Sequence, residues 1–324
     1  MAGKAAWMAR HADRYRRRVV LEPRGHRDLT AALLTEPVTP GAHAGLLFMD
    51  QAGYPAFSGH GVVAAVTIAI ERGLLVVPGP GQQLDLTLDT AAGAIRVRVG
   101  FETERGRRRV GSVAVTYPPA FVHEAGRTVA HGTRQVRVDL AFCGTWFAIC
   151  DSEATGVPLD LQQLPTLRSL GIGICASLNR ALAPAHALDA VSQDAPSGVA
   201  GVVFTGPPTD SDASASAHLS AHLSAHLKGV TVGRGGSVDR SACGAGVPAV
   251  MAVLDAMGLL LADQAFVFEG LSGSVANAGV VRRMPLGERA AVVVEIEDTA
   301  WITGEHTLVA EADDPWRDGS RRGR

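Results

Sequence analysis

The 324-residue chain has little charge to spare: Asp, Glu, Lys and Arg make up 19% of it, and the formal net charge is −2. That balance argues against a nucleic-acid-binding surface spread over the molecule. Basic residues cluster locally at residues 14–18 and 105–109, which read as a solvated terminus and a charged loop. Cysteine is equally scarce. The four residues Cys143, Cys150, Cys175 and Cys243 are too scattered for a disulfide framework and contain no CxxC pair that would suggest zinc. Reduced thiols and a cytoplasmic setting are expected. Long apolar runs are missing as well. Residues 62–70 are too few to span a bilayer, and residues 246–262 are interrupted by Pro248 and Asp255. The N-terminal stretch MAGKAAWMARHADRYRRR has no apolar core followed by a cleavage site, so it makes a poor signal peptide. No membrane partner is expected.

What the chain does have is apolar residues, 47% of the total. Its length suits roughly two domains of about 150 residues. An internal repeat organises it. SGHGVVAAVTIAIERGLL (58–75) aligns with CGAGVPAVMAVLDAMGLL (243–260) at a constant offset of 185 residues, the distance from Ser58 to Cys243. Matches fall at Gly59/Gly244, Gly61/Gly246, Val62/Val247, Ala64/Ala249, Gly73/Gly258, Leu74/Leu259 and Leu75/Leu260. Apolar helices could share Val, Ala and Leu by chance. Three glycine matches bracketing both ends are harder to obtain that way.

Each copy predicts a polar residue, a short Gly-rich turn, and an apolar helix stopped by a glycine suited to the left-handed C-terminal position. The two helices are expected over 59–75 and 244–260. Both are apolar nearly all round and should be enclosed by sheet. Strand-like runs at 84–88, 95–99, 110–116, 136–140 and 291–296 have the β-branched content and alternation of half-buried strands. The expected class is α+β, with two pseudo-symmetric halves, each a curved sheet around a central helix. The first half is expected at 1–125 with 300–312 and carries Ser58. The second, at 126–299, carries Cys243, and 313–324 forms a C-terminal tail. A site is expected between the two helix N-termini.

The segment 213–227, ASASAHLSAHLSAHL, is low in complexity. As a helix it would align His218, His222 and His226 on one face. No carboxylate or cysteine accompanies them at ligand spacing. A surface insertion grown by repeat expansion is the simpler reading, and no metal is assigned.

The chemistry follows from the two turns. A helix N-terminus exposes N–H groups and carries partial positive charge. Glycine lets a ligand approach the backbone there. Two such termini would hold a carboxylate without Arg or Lys. The same field favours a thiolate: a cysteine at a helix N-terminus can fall from a pKa of about 8.5 to roughly 3.5–7.5. Cys243 is thus expected to serve as a base near neutral pH. Ser58, its counterpart, is better suited to donate a proton than to accept one. Two such groups on opposite faces of one carbon can invert an amino-acid Cα without a cofactor.

The motifs EPRGHRDLT (22–30), MDQAGYPAFSGHG (49–61), LDTAAG (88–93), GVVFTGP (201–207) and DRSACGAG (239–246) resemble the landmarks of the proline racemase family. Their order and spacing agree from about residue 19 to 314. The family includes proline racemases, hydroxyproline 2-epimerases and trans-3-hydroxyproline dehydratases. The resemblance implies the diaminopimelate epimerase-like fold and catalysis by Ser58 and Cys243. It also implies amine contacts from His60 and Asp239, and carboxylate contacts from the backbone N–H groups of Gly59, His60, Gly244 and Ala245. It calls for no cofactor, takes proline or hydroxyproline as small-molecule substrate, and allows a homodimer.

This chain departs from the family pattern twice. Ser58 stands where a cysteine is usual, as in some members with hydroxyproline epimerase activity. Ala245 stands where threonine is usual, which keeps a backbone contact and removes a hydroxyl. The leading expectation is a hydroxyproline 2-epimerase or proline racemase. A dehydratase needs only one strong base, but dehydratases of the family often carry threonine at the second position, where Cys243 stands. A non-catalytic imino-acid-binding protein would not need Cys243, His60 and Asp239 together.

Overall fold

The computed structural model describes residues 1–76, 81–132, 134–182, 198–209, 225–260 and 265–320. They fall into two compact units, Met1–Val115 with Thr299–Arg324, and Thr116–Asp298.

The first unit opens with helices α1 (Ala2–His11) and α2 (Asp13–Val20). The basic cluster here is not simply solvated. Arg16 is buried, and its guanidinium grips Asp13 at 2.6 and 2.9 Å. It also donates to the Asp50 and Gln51 carbonyls at 2.7 and 3.1 Å. Such pairing is what allows a cation to be buried. Strands β1 (Ala31–Thr35) and β2 (Ala44–Met49) pair antiparallel. Helix α3 (Gly59–Glu71) then crosses to β3 (Gln83–Thr90), which pairs parallel to β2. A parallel neighbour needs such a crossover. Strands β4 (Gly93–Glu104) and β5 (Arg107–Thr116) continue antiparallel. In β4, Ile95, Val97 and Val99 are buried while Arg96 and Arg98 are exposed, the two-residue period of a half-buried strand. Residues near the C-terminus close on the turn after α2, with Asp314 on Arg24 and Asp318 on Arg18, both at 2.8 Å.

In the second unit the strands form a closed sheet. They are β6 (Ala120–His131), β7 (Arg134–Cys143), β8 (Trp146–Asp151), β9 (Val199–Gly206) and β10 (Leu227–Gly233). The short β11 (Val238–Asp239) hangs on β10. The ring continues through β12 (Phe266–Gly270), β13 (Val275–Leu286) and β14 (Arg289–Asp298). Val292 of β14 lies opposite Ala120 of β6 and closes it. Among the described residues, the α-helices that accompany the sheet are α4 (Ser152–Thr155), α5 (Leu164–Leu182) and α6 (Gly246–Ala256). Helix α6 packs on β6, β7, β8, β9 and β14, and all its residues from Gly246 to Val253 are buried. A helix apolar on every side has to be enclosed in this way. The five strand-like runs lie within β3, β4, β5, β7 and β14.

The repeat is clearest at the helix ends. Gly73 and Gly258 adopt φ of 67° and 72°. After α3, Leu74 N–H reaches Ala69 O at 2.8 Å and Gly73 N–H reaches Ile70 O at 3.1 Å. After α6, Leu259 reaches Leu254 and Gly258 reaches Asp255, both at 2.9 Å. This paired closure satisfies the last carbonyls and needs a left-handed residue. The helices therefore stop at Glu71 and Ala256, short of 75 and 260. Their starts differ. Pro248 has no N–H to give Gly244, so Val247 N–H takes that carbonyl instead, at 3.0 Å. A tight turn precedes α6, and the helix begins two residues later than its counterpart.

Of the His/Leu run, residues 213–224, with His218 and His222, lie outside the described residues. His226 accepts from Val267 N–H at 2.9 Å and stacks on Phe266, and Leu227 opens β10. No helix among the described residues is long and apolar enough to cross a membrane.

Candidate active site

The first unit contributes the turn into α3. Ser58 is its N-cap, buried and extended at φ −150°, ψ 111°. Its Oγ accepts from Gly61 N–H at 3.3 Å, and its carbonyl accepts from Val62 N–H at 2.9 Å. His60 Nε2 lies 3.4 Å from the same Oγ. With Nε2 unprotonated the ring accepts the hydroxyl proton; with it protonated the ring donates to Oγ. The pair can thus move a proton in either sense. Gly61 must lack a side chain here, because a Cβ would sit 2.9 Å from both Ser58 Oγ and the Phe48 ring. Gly59 and His60 are the first two residues of α3, so their N–H groups precede the helical ladder.

The second unit contributes the loop between β11 and α6. Asp239 ends β11, and its Oδ1 accepts from Ser241 N–H at 3.1 Å and from Ser241 Oγ at 2.7 Å. Cys243 Sγ in turn donates to Ser241 Oγ at 3.9 Å. A chain of hydrogen bonds therefore runs from thiol to hydroxyl to carboxylate. Tyr117, buried, donates its hydroxyl to the Cys243 carbonyl. Gly244 is buried and lies directly against Asp239, whose carboxylate a Cβ would strike. Ala245 is the N-cap of α6 and offers no side-chain cap.

The electrostatics of Cys243 run opposite to the expectation from a helix N-terminus. Burial holds the thiol well above its ordinary pKa. Asp298 raises it further by charge and by a hydrogen bond, and Asp239 adds to this, while the Ser241 hydrogen bond acts in the opposite direction. Burial is the largest cause, and α6 starts only at Gly246, three residues beyond the sulfur. Cys143 is a plain buried thiol by comparison, pushed up to about 12 by burial alone and donating to Pro118 O at 3.7 Å.

Each unit thus gathers its own expected residues: Ser58, Gly59 and His60 on one turn, and Asp239, Cys243, Gly244 and Ala245 on the other. Three neighbours of Cys243 carry no expected role from sequence. Ser241 lies within the DRSACGAG motif, where its two-residue spacing from both Asp239 and Cys243 is the available signal. Tyr117 and Asp298 are distant in sequence and have no local signature. An apolar depression of about 260 Å³ beside the end of α6, lined by Leu254, Leu259 and Phe266 among others, holds none of these residues.

A family model described as Proline racemase matches residues 1–321. The proline racemase A of Trypanosoma cruzi is 32% identical over 340 residues, covering 98% of this chain and 75% of that protein. The 4-hydroxyproline 2-epimerase of Streptosporangium roseum is 32% identical over 323 residues, covering 98% and 89%. The trans-3-hydroxy-L-proline dehydratase of Bacillus cereus is 30% identical over 311 residues, covering 96% and 86%. A crystal structure of a hydroxyproline epimerase from Agrobacterium vitis, with bound trans-4-hydroxy-L-proline, superposes with a TM-score of 0.81 at 26% identity. It covers 98% of this chain and 86% of that one.

Proposed function

Because this chain belongs to the proline racemase family, we propose that it epimerises a proline-like amino acid at Cα without a cofactor, using Ser58 and Cys243 as the two acid/base groups. The observation that carries this reading is the buried Cys243 thiol, joined through Ser241 to the Asp239 carboxylate. A carboxylate there can receive the substrate's ammonium, as His60 can from the other unit. The ammonium offsets negative charge beside the sulfur, so substrate binding favours the thiolate. Backbone N–H groups of Gly59, His60, Gly244 and Ala245 serve the substrate carboxylate.

In one direction Cys243 takes the Cα proton: the Cα–H bond breaks, an S–H bond forms, and the electron pair stays on Cα. Ser58, with His60 behind it, returns a proton to the opposite face. In the other direction the roles exchange. Ser58 in place of a thiol favours a hydroxyproline 2-epimerase over a simple proline racemase. The same asymmetry supports a second reading, loss of a 3-hydroxyl after deprotonation by a single base. Four free, buried cysteines suit a reducing, cytoplasmic setting. The substrate is the small imino acid; size-exclusion chromatography reads whether the chain forms the homodimer that the family resemblance allows.

The test is incubation in D2O with the isomers of proline, 4-hydroxyproline and 3-hydroxyproline, followed by NMR. An epimerase labels Cα and inverts it. A dehydratase yields a pyrroline. Neither outcome with any isomer would leave only a binding protein.

A further inference from the structure

Ser241 Oγ carries one proton and faces two groups that can take it. It donates to Asp239 Oδ1 at 2.7 Å and accepts from the Cys243 thiol at 3.9 Å. If Cys243 loses its proton, that arrangement sets an oxygen lone pair against a thiolate. Rotating the hydroxyl about its Cβ–Oγ bond replaces this repulsion with a charge-assisted hydrogen bond. The rotation removes one donor from Asp239. Ser241 N–H still holds Oδ1 at 3.1 Å, so the carboxylate keeps its place while one bond becomes vacant for an incoming N–H.

We propose that the Ser241 hydroxyl is a two-position positioning group, donating to Asp239 in the empty site and turning to Cys243 Sγ when a substrate ammonium takes its place on Asp239. This rests on the epimerase reading above. It makes amine binding and thiolate formation, in which the S–H bond breaks and its proton leaves to solvent, one linked event, which confines the strong base to the occupied site. The substrate class follows: the amine must reach Asp239 with at least one N–H, as a secondary cyclic ammonium does, whereas an N,N-dialkylated ring that has lost its N–H leaves the hydroxyl on Asp239. When Cys243 then takes the Cα proton, the new S–H points again at Ser241 Oγ, and the hydroxyl returns to Asp239 once the product ammonium has left.

Among the described residues, the other groups that shift the thiol are carboxylates. Asp298 from the end of β14 and Asp239 from β11 both raise the thiol's pKa, and the Ser241 hydrogen bond opposes them. Tyr117 is itself held well above its ordinary value, chiefly by burial and then by Cys243 and Cys143. It stays neutral and points at the Cys243 carbonyl rather than at the sulfur.

The test compares Ser241→Ala and Ser241→Thr in the full chain. Carboxamidomethylation of Cys243 by iodoacetamide is followed from pH 6 to 10, with the site read by mass spectrometry. Loss of the donor should raise the midpoint of thiol ionisation. Alkylation at a fixed pH then slows by about tenfold if the midpoint moves from one pH to the next whole pH above it. The kcat/KM profile for the best isomer should move the same way. Threonine keeps a hydroxyl and should keep both profiles near wild type. Unchanged profiles in Ser241→Ala, or equal loss in both variants with no movement along the pH axis, would overturn the proposal and leave a structural role. The alkylation profile needs no substrate. If wild-type chain turns over no isomer, the epimerase reading fails while the test of the Ser241–Cys243 bond still gives an answer.

Discussion

Ser58 Oγ and His60 Nε2 stand 3.4 Å apart across the first turn of α3, a hydroxyl paired with an imidazole where the other unit has a thiol paired with a hydroxyl. Serine cannot act as a base at neutral pH without such help. His60→Ala should therefore lower kcat/KM by about 10²–10⁴, the usual range for a general acid–base group. Both directions must fall together, because their ratio is fixed by the equilibrium. Exchange at Cα with retention should survive for the isomer whose proton faces Cys243. NMR in D2O separates the two events. Loss of inversion and exchange together, in a folded variant, would show that His60 serves binding rather than proton transfer.

Two glycines two residues apart should respond differently to a methyl group. At Gly246 a Cβ would press on Val203 Cγ2 and Thr231 Oγ1, both at 2.6 Å. Gly246→Ala is an overpacked core and should cost about 1–3 kcal/mol of stability, read by urea denaturation. At Gly244 the obstacle is the Asp239 carboxylate, which can be pushed aside. Gly244→Ala should keep most of the stability and raise KM by about tenfold, on the order of 1.4 kcal/mol of binding. A normal KM there would count against Asp239 as the amine's partner.

The contrast between these glycines also marks what a sequence can disclose. The paired helices, their glycine caps and the turns carrying Ser58 and Cys243 are local features, repeated at a fixed spacing, and each is legible in the chain. Helix α5 is not, although Leu167, Leu170, Ile174 and Leu178 are buried at helical intervals. Gly171 and Gly173 weaken its propensity. Gly171 is there because a Cβ would meet Val232 at 2.7 Å, a reason that exists only once β10 is in place. The environment of Cys243 escapes sequence reasoning for a similar cause. The helix start can be read from the chain, but Pro248 delays it, and Asp298 arrives from the far end of β14. The His226 ring, part of a helical stripe in sequence, is taken up by Val267 and Phe266.

Tyr117→Phe removes the donor to the Cys243 carbonyl and keeps the buried ring. An unpaired buried carbonyl costs about 1–3 kcal/mol, and urea denaturation should register that loss. The peptide between Cys243 and Gly244 also gains freedom to rotate, which misdirects the Gly244 N–H. KM should therefore rise more than kcat falls. Unchanged stability would mean that another donor replaces the phenol.

The pH dependence of Cys243 gives the sharpest sign. Its thiol is held well above the ordinary value by burial, then by Asp298 and Asp239. Below such a pKa the thiolate fraction rises about tenfold per pH unit, so alkylation of the empty chain should be slow at pH 7 and climb steeply with pH. Asp298→Asn removes a negative charge and leaves an amide of the same shape. Repulsion of the thiolate falls, the pKa drops, and alkylation at pH 7–8 should become faster, by about tenfold. Ser241→Ala must move the rate the other way, so the two variants bracket wild type. Cys143 provides the internal control: it is pushed to about 12 by burial alone, with no contribution from Asp298 or Ser241, so its rate should be the same in all three proteins. Slower alkylation of Cys243 in Asp298→Asn, with the Cys143 rate unchanged, would mean that Asp298 acts as the thiol's proton acceptor rather than as a charge that opposes its ionisation.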